Sequence, residues 1–296
     1  MKQKKSNHFG ILSECELKQP KYKLLYGIIF VFLCLMVLVN TVPTLWIMLS
    51  GFKSVQEMYA IPTTFFPKEI HFSKLLEVWN RMSFYKFYVN TFIMAGGCVL
   101  FNILVCGFAG YSLSKLKPIG SGLIFVLCVW IMMLPGTTRT VPLYMIIKDF
   151  PIFHFSMLDS YLPIWLMAAA STFGIILFKN FFDGISPALV ESARIDGAND
   201  LRIFFQIIVP LSVPIFTVTA LLTFNGQLGQ FFWPYLLIQD KSKTVLGVQI
   251  FKLKSSDYTM DYQMIALLFS LIPQLVIFAI FQKQIIGGLN LGGVKG

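Results

Sequence analysis

Within the stretch 186–214 the chain gathers Glu191, Arg194 and Asp196 on one short run of small and apolar residues, followed closely by Asn199, Asp200 and Arg202. Side chains of these types at this spacing supply a few directed ion pairs and hydrogen bonds. Bond-making chemistry would need other groups. The three histidines, His8, His71 and His154, lie far apart and none forms the H-E-x-x-H pattern of a zinc hydrolase. The five cysteines (Cys15, Cys34, Cys98, Cys106, Cys128) have no metal-site spacing. No G-x-x-x-x-G-K-[ST] run occurs, so the chain cannot cradle nucleotide phosphates by that route, and the Gly-rich end 292–296 has neither its spacing nor a following helix. The expected number of catalytic residues is zero, and so is the expected number of metal ligands.

The elements that must position Glu191, Arg194 and Asp196 follow from their neighbours. Ser186 before Pro187 starts a helix: the hydroxyl caps free N–H groups, and proline loses no bond at the first helical position. Good helix formers fill 188–195, and Gly197 supplies the left-handed residue that ends it. Asn199 or Asp200 caps a second arm over 201–208. Ala188, Leu189, Ser192, Ala193 and Ile195 make the first arm small and apolar enough to enter a cleft. Two readings fit: an amphipathic connector with good caps, or a docking element through which a soluble partner moves the rest of the chain.

The rest of the chain is apolar. Of 296 residues 56% are hydrophobic and only 13% charged, with mean hydropathy +0.72. Soluble domains carry about 25% charged residues. Charge is absent from six long runs, 24–52, 87–114, 118–138, 160–178, 203–239 and 262–282. A helix needs about 20 apolar residues to cross the hydrocarbon core, and the runs lack the two-residue alternation of a barrel. The expected fold is therefore all-α and integral to the membrane, with six spans. The first run is too long for a signal-peptide core and no small-x-small cleavage site follows it, so an uncleaved span is expected. Lys2, Lys4, Lys5, Lys18, Lys21 and Lys23 before it argue for a cytoplasmic N-terminus. Six spans return the C-terminus to the same side. The net charge of +10 fits juxtamembrane lysines facing anionic lipid better than nucleic acid, which is not an expected partner.

The boundaries expected are a tail 1–23, a membrane domain 24–282 and a tail 283–296. Within the domain, outer loops occupy 51–86 and 240–261, and the inner loop occupies 183–210. Small residues of the second span (Gly96, Gly97, Gly107, Ala109, Gly110) let helices approach closely. Pro135-Gly136 and Pro142 open the third span near its outer end. The fifth run is too long for one span, so its first part, 203–208, lies along the membrane surface. Its later half is polar, with Asn225, Gln227 and Gln230 before Trp233. Such residues line a path for a solute or hydrogen-bond to other helices. An ion-coupled secondary transporter is the alternative function, although the six runs contain no ionisable Asp, Glu, Lys, Arg or His.

The pattern E-S-A-R-I-D-G-A followed by I-I-V-P resembles the "EAA" loop of permease subunits of binding-protein-dependent ABC importers. There the pattern is E-A-A, three residues, Gly, nine residues and I-x-L-P. Glu191, Ala193, Gly197, Ile207 and Pro210 fall in register; Ser192 replaces the middle Ala and Val209 the Leu. Asp196 and Ala198 match the D-G-A core of the carbohydrate, MalG-like branch. Similar matches are Ser50-Gly51-Phe52-Lys53 with Glu57 and Pro62, Asn90-Thr91, Pro135 with Pro142-Leu143-Tyr144, and the C-terminal glycines before Lys295-Gly296. Phe224-Asn225-Gly226-Gln227 departs from the family's Trp-Asn-x-Phe.

The resemblance implies a type I importer permease in a bacterial cell membrane, importing a sugar or oligosaccharide. It implies a second homologous permease, two ATPase subunits holding the ATP and Mg, and a sugar-binding protein outside. Glu191, Ser192, Ala193, Asp196 and Gly197 would then couple to the ATPase. Lys295 and Gly296 would reach the ATPase pair, and Asn225, Gln227, Gln230 and Trp233 would border the substrate path. No cofactor is implied on this chain itself.

Overall fold

The computed structural model describes residues 20–289 apart from 71, 153 and 254–257. The first 19 residues, Lys295 and Gly296 lie outside the described residues. α1 (Pro20–Ser50) is one helix with Pro43 inside it. α2 (Val55–Met58) and α3 (Phe72–Arg81) follow in the 51–86 segment. α4 (Phe84–Tyr111) ends in a π turn, Ser112–Leu116. α5 (Ser121–Met133) and α6 (Thr140–Lys148) meet through a 3-10 turn, Gly136–Arg139. α7 (Leu162–Ala169) and α8 (Thr172–Asp183) form the next pair, then comes α9 (Pro187–Ile195). α10 (Asp200–Ile203) passes through a second π turn, Phe204–Ile208, into α11 (Val209–Leu211) and α12 (Val213–Leu228). α13 (Phe232–Leu237), α14 (Leu246–Leu253) and α15 (Met260–Leu289) complete the chain.

Three helices are long and apolar enough to cross a membrane singly: 22–50, 84–116 and 260–283. Three bent pairs of helices pass the same test only when taken together, with bends of 99° between α5 and α6, 42° between α7 and α8, and 80° at Ser212 before α12. Taking each pair as one span gives the six expected. The third bend falls where Pro210 and Pro214 flank Ser212, and the first follows Pro135-Gly136. The break between α7 and α8 has no proline within it and was not foreseen.

α4 is the axis of the bundle, packed against α7, α8 and α12. Every fourth residue of α4 forms one face, and that face explains how the broken fourth span survives. Carbonyls freed by a break inside hydrocarbon must find donors within the protein. Asn102 Nδ2 donates to Ala168 O at 2.7 Å, and Cys106 Sγ lies 3.3 Å from both Ala169 O and Ser171 O. One turn back, Cys98 is buried, and Trp165 Nε1 donates to Met94 O at 3.0 Å. One turn on, Gly110 touches α8 so closely that a Cβ there would lie 2.6 Å from Phe178 Cβ. The cysteines of α4 therefore hydrogen-bond as well as pack. Cys34, by contrast, is exposed on α1, whose described surface is exposed almost throughout and which rests on α15.

Candidate functional site

α9 is a nine-residue helix whose two faces differ. Val190 and Ala193, three residues apart, are buried in a cluster with Phe178 and Phe182 of α8, Tyr111 of α4 and Ile203, Phe204 and Ile208 of the following arm. Leu189, Glu191, Ser192, Ile195 and Asp196 are exposed, Ile195 to 87%. Ala193, expected on the docking surface, faces the chain's own core instead. Its methyl sets how closely α9 lies on the bundle.

The end of α9 is fixed by backbone geometry. Gly197 has φ +79°, its N–H donates to Arg194 O at 3.0 Å, and Ala198 N–H donates to Ala193 O at 2.9 Å. These two bonds are the paired closure that ends many helices on a left-handed glycine. A Cβ on Gly197 would meet no atom within 4 Å, so the conformation rather than space requires glycine. Asn199 caps the second arm, accepting from Arg202 N–H at 2.8 Å, and Arg194 pairs with Asp200 at 3.0 Å. At the other end Ser186 occupies the cap position but makes no side-chain capping bond.

Residues from distant segments join α9 to the end of α4. Ser114 Oγ donates to Asp183 Oδ1 at 2.6 Å, Lys179 pairs with Asp183 at 2.7 Å, and Lys115 Nζ donates to Ile185 O at 2.6 Å. A recess of about 420 Å3 lies here, edged by Glu191 and Arg194 and by Lys115, Lys117 and Lys179. Both π turns converge on the same place, since Phe204 stacks on Phe108 at 4.6 Å and lies 5.2 Å from Tyr111. π turns inside helices are frequent at functional sites. Ser114, Lys115 and Asp183 carry no sequence signal beyond single polar residues just past or near the ends of the charge-free runs 87–114 and 160–178.

A larger cavity, about 1280 Å3, lies between α4, the α5–α6 bend, the α7–α8 break and the far part of α12. Of the four residues expected to border a substrate path, Gln227, Gln230 and Trp233 line this cavity and Asn225 does not. Asn102, which the sequence reading passed over, also lines it. Asn102 Oδ1 and Gln227 Oε1 are buried acceptors with no hydrogen-bond partner among the described residues. The wall combines hydroxyl and amide side chains with Phe173, Phe232 and Trp233, which suits a polar solute with apolar faces.

Residues 102–289 match the family described as "Binding-protein-dependent transport system inner membrane component". That match spans α9 and most of the cavity wall. The chain belongs to this family. It is 30% identical over 298 residues to the galactooligosaccharides transport system permease protein GanQ of Bacillus subtilis (strain 168), covering 95% of this chain and 99% of that relative. It is 28% identical to the arabinooligosaccharides transport system permease protein AraQ of the same organism, covering 94% and 98%. Among solved structures it superimposes with TM-score 0.77 on a chain of a bacterial ABC transporter involved in the import of the acidic polysaccharide alginate. That pair is 25% identical, covering 90% of this chain and 98% of the other. The chain is thus a multi-pass membrane permease component, and it is not itself an enzyme.

At the end of this permease away from α9, the 240–261 segment is tied to α4. Asn90 Nδ2 donates to Ser242 O at 2.7 Å and to Thr244 O at 2.9 Å, and Thr91 Oγ1 accepts from Leu246 N–H at 2.9 Å. The Asn90-Thr91 pair therefore has a physical role as a clamp. Ser242 donates to Asp240 through its hydroxyl and its N–H, which holds the Asp240 carboxyl below the usual carboxylate range. Tyr161 donates to Lys243 O at 2.7 Å, and burial pushes its hydroxyl up to about 12. Asn90→Ala is expected to remove both of its bonds and loosen this segment by about 1–3 kcal/mol. Limited proteolysis should then cut within 240–261 faster than in wild type while the remaining spans stay protected.

Proposed function

We propose that this chain forms one half of the translocation pathway of an ATP-driven oligosaccharide importer. It pairs with a second homologous permease, and α9 docks into a separate ATPase subunit, two of which hold the ATP and Mg. A sugar-binding protein delivers the substrate to the opposite face, where the 240–261 segment meets it. Both termini then lie in the cytoplasm, with the lysines of 1–23, and Lys295 and Gly296 extend toward the ATPases.

The observation that carries this reading is the two-faced placement of α9. One face is fused through Val190 and Ala193 to the ends of α4, α8 and the surface arm. The other offers Leu189, Glu191, Ser192, Ile195 and Asp196 outward. A load applied to the exposed face passes directly into α4, α8 and the arm that leads into α12, which is what coupling a soluble motor to a pathway requires. The named relatives, carriers of galacto- and arabinooligosaccharides, support a carbohydrate cargo.

Purification of the tagged chain from its native membrane in mild detergent, with identification of its companions, tests the assembly. A second permease and a P-loop ATPase are expected. A stable lone chain or homo-oligomer would overturn the reading in favour of an ion-coupled secondary transporter.

A further inference from the structure

Resting on that reading, we propose that the cavity selects a carboxylate-bearing oligosaccharide, a uronate chain rather than a neutral sugar, and that Arg139 is the residue that reads the charge. Among the residues lining the cavity Arg139 is the one charged side chain, and no Asp or Glu lines it. Arg139 is exposed and forms no ion pair or side-chain hydrogen bond with any described residue. Its guanidinium is thus available in a wall otherwise built from amides, hydroxyls and apolar groups.

Depth places this cation where a solute passes. α5 starts at the α9 end of the bundle, where Lys179 Nζ lies 4.7 Å from the ring of Phe125. From Phe125 to the end of α5 at Met133 the helix climbs only about 12 Å, at 1.5 Å per residue. The chain then turns by 99° through Gly136–Arg139 into α6. The hydrocarbon core is about 30 Å thick, so the turn ends well short of the far surface. A cation held at that depth faces a cavity or a path, because lipid would expel it. Its position is set by the turn itself: Pro135 precedes it, and Thr138 Oγ1 donates back to Pro135 O at 2.7 Å.

The geometry suits a carboxylated sugar specifically. A guanidinium grips a carboxylate through two parallel N–H bonds. Thr137 and Thr140, on either side of Arg139 in the lining, can take neighbouring hydroxyls, and Phe232 and Trp233 offer aromatic faces to a pyranose ring.

The test uses the intact importer in proteoliposomes, with oligogalacturonates and the same oligomers reduced at the carboxyl to neutral galactose units. Wild type is expected to take up the uronates in preference. R139Q should lower the uronate-to-neutral uptake ratio by about tenfold, the worth of one hydrogen-bonded charge contact, and R139K should restore much of it. A wild-type preference for the neutral oligomers, or a ratio unmoved in R139Q, would overturn the proposal while leaving oligosaccharide import standing. Equal loss of both substrates in R139Q would also overturn it, because an arginine that merely anchors to lipid phosphate affects both alike. Uptake of neither oligomer by wild type would refute the oligosaccharide reading as well.

Discussion

Replacing Gly110 with valine is expected to cut the folded permease recovered from the membrane by about tenfold or more. A Cβ at this position would lie 2.6 Å from Phe178 Cβ and 2.9 Å from the backbone nitrogen of Lys179. Neither atom is the free end of a flexible side chain, so α4 and α8 must separate. Overpacking of a tight contact typically costs about 1–3 kcal/mol, and 1.4 kcal/mol is already about tenfold in an equilibrium. Separation would also pull α8 away from the bonds that hold its partner helix, Asn102 to Ala168 and Cys106 to Ala169 and Ser171, and would strain Ser114 against Asp183. Gly96 is the control on the same helix, since a Cβ there meets nothing within 4 Å. Gly96→Ala should be neutral or stabilising by up to about 1 kcal/mol. Monodisperse yield after solubilisation reads both variants, and wild-type yield from Gly110→Val would show that the two helices are not in obligatory contact.

The parts of this structure that were legible in the sequence are those set by local chemistry. Gly197 ends α9 at positive φ, and Asn199 caps the next arm, because a helix terminus imposes the same demands wherever it occurs. Long charge-free runs announce spans because lipid selects against charge. Features set by contacts between distant segments were not legible. Ala168 to Ala170 are good helix formers, yet the fourth span breaks there because Asn102 and Cys106, more than sixty residues earlier, stabilise the freed carbonyls. Ala193 looked like a docking residue for want of any signal telling the two faces of a short helix apart; burial against Phe178 and Phe182 decided it. Asn225 was grouped with Gln227 by proximity in sequence. On α12, however, two residues correspond to about 200° of rotation, so Gln227 shares the cavity with Thr223 and Gly226 while Asn225 faces away. Arg139 sits one residue past the charge-free run 118–138, and only the sharp bend after α5 carries it into the cavity wall.

Glu191→Lys is expected to leave the protein folded and inserted but to reduce uptake by about a hundredfold. Glu191 is exposed on α9, outside the buried face that joins this helix to the bundle, and surface changes of this kind shift stability by about 0.5 kcal/mol or less. Its electrostatic setting is more demanding. Around the recess beside it stand Lys115, Lys117, Lys179 and Arg194, with Asp183 already paired to Lys179. Glu191 is thus the remaining acid at that edge, and a docking partner that complements it must present a donor or a cation. Reversing the charge sets like against like at the contact, which costs several kcal/mol when an interface closes. Glu191→Gln, which keeps the shape and removes the charge, should fall between wild type and Glu191→Lys. Membrane abundance, recovery of the ATPase with the tagged permease, and uptake are to be measured on the same preparations. Loss of ATPase recovery and uptake at constant abundance is the signature of uncoupling. Normal uptake by Glu191→Lys would reduce α9 to a structural connector, since its acid at the recess would then have no docking partner to meet.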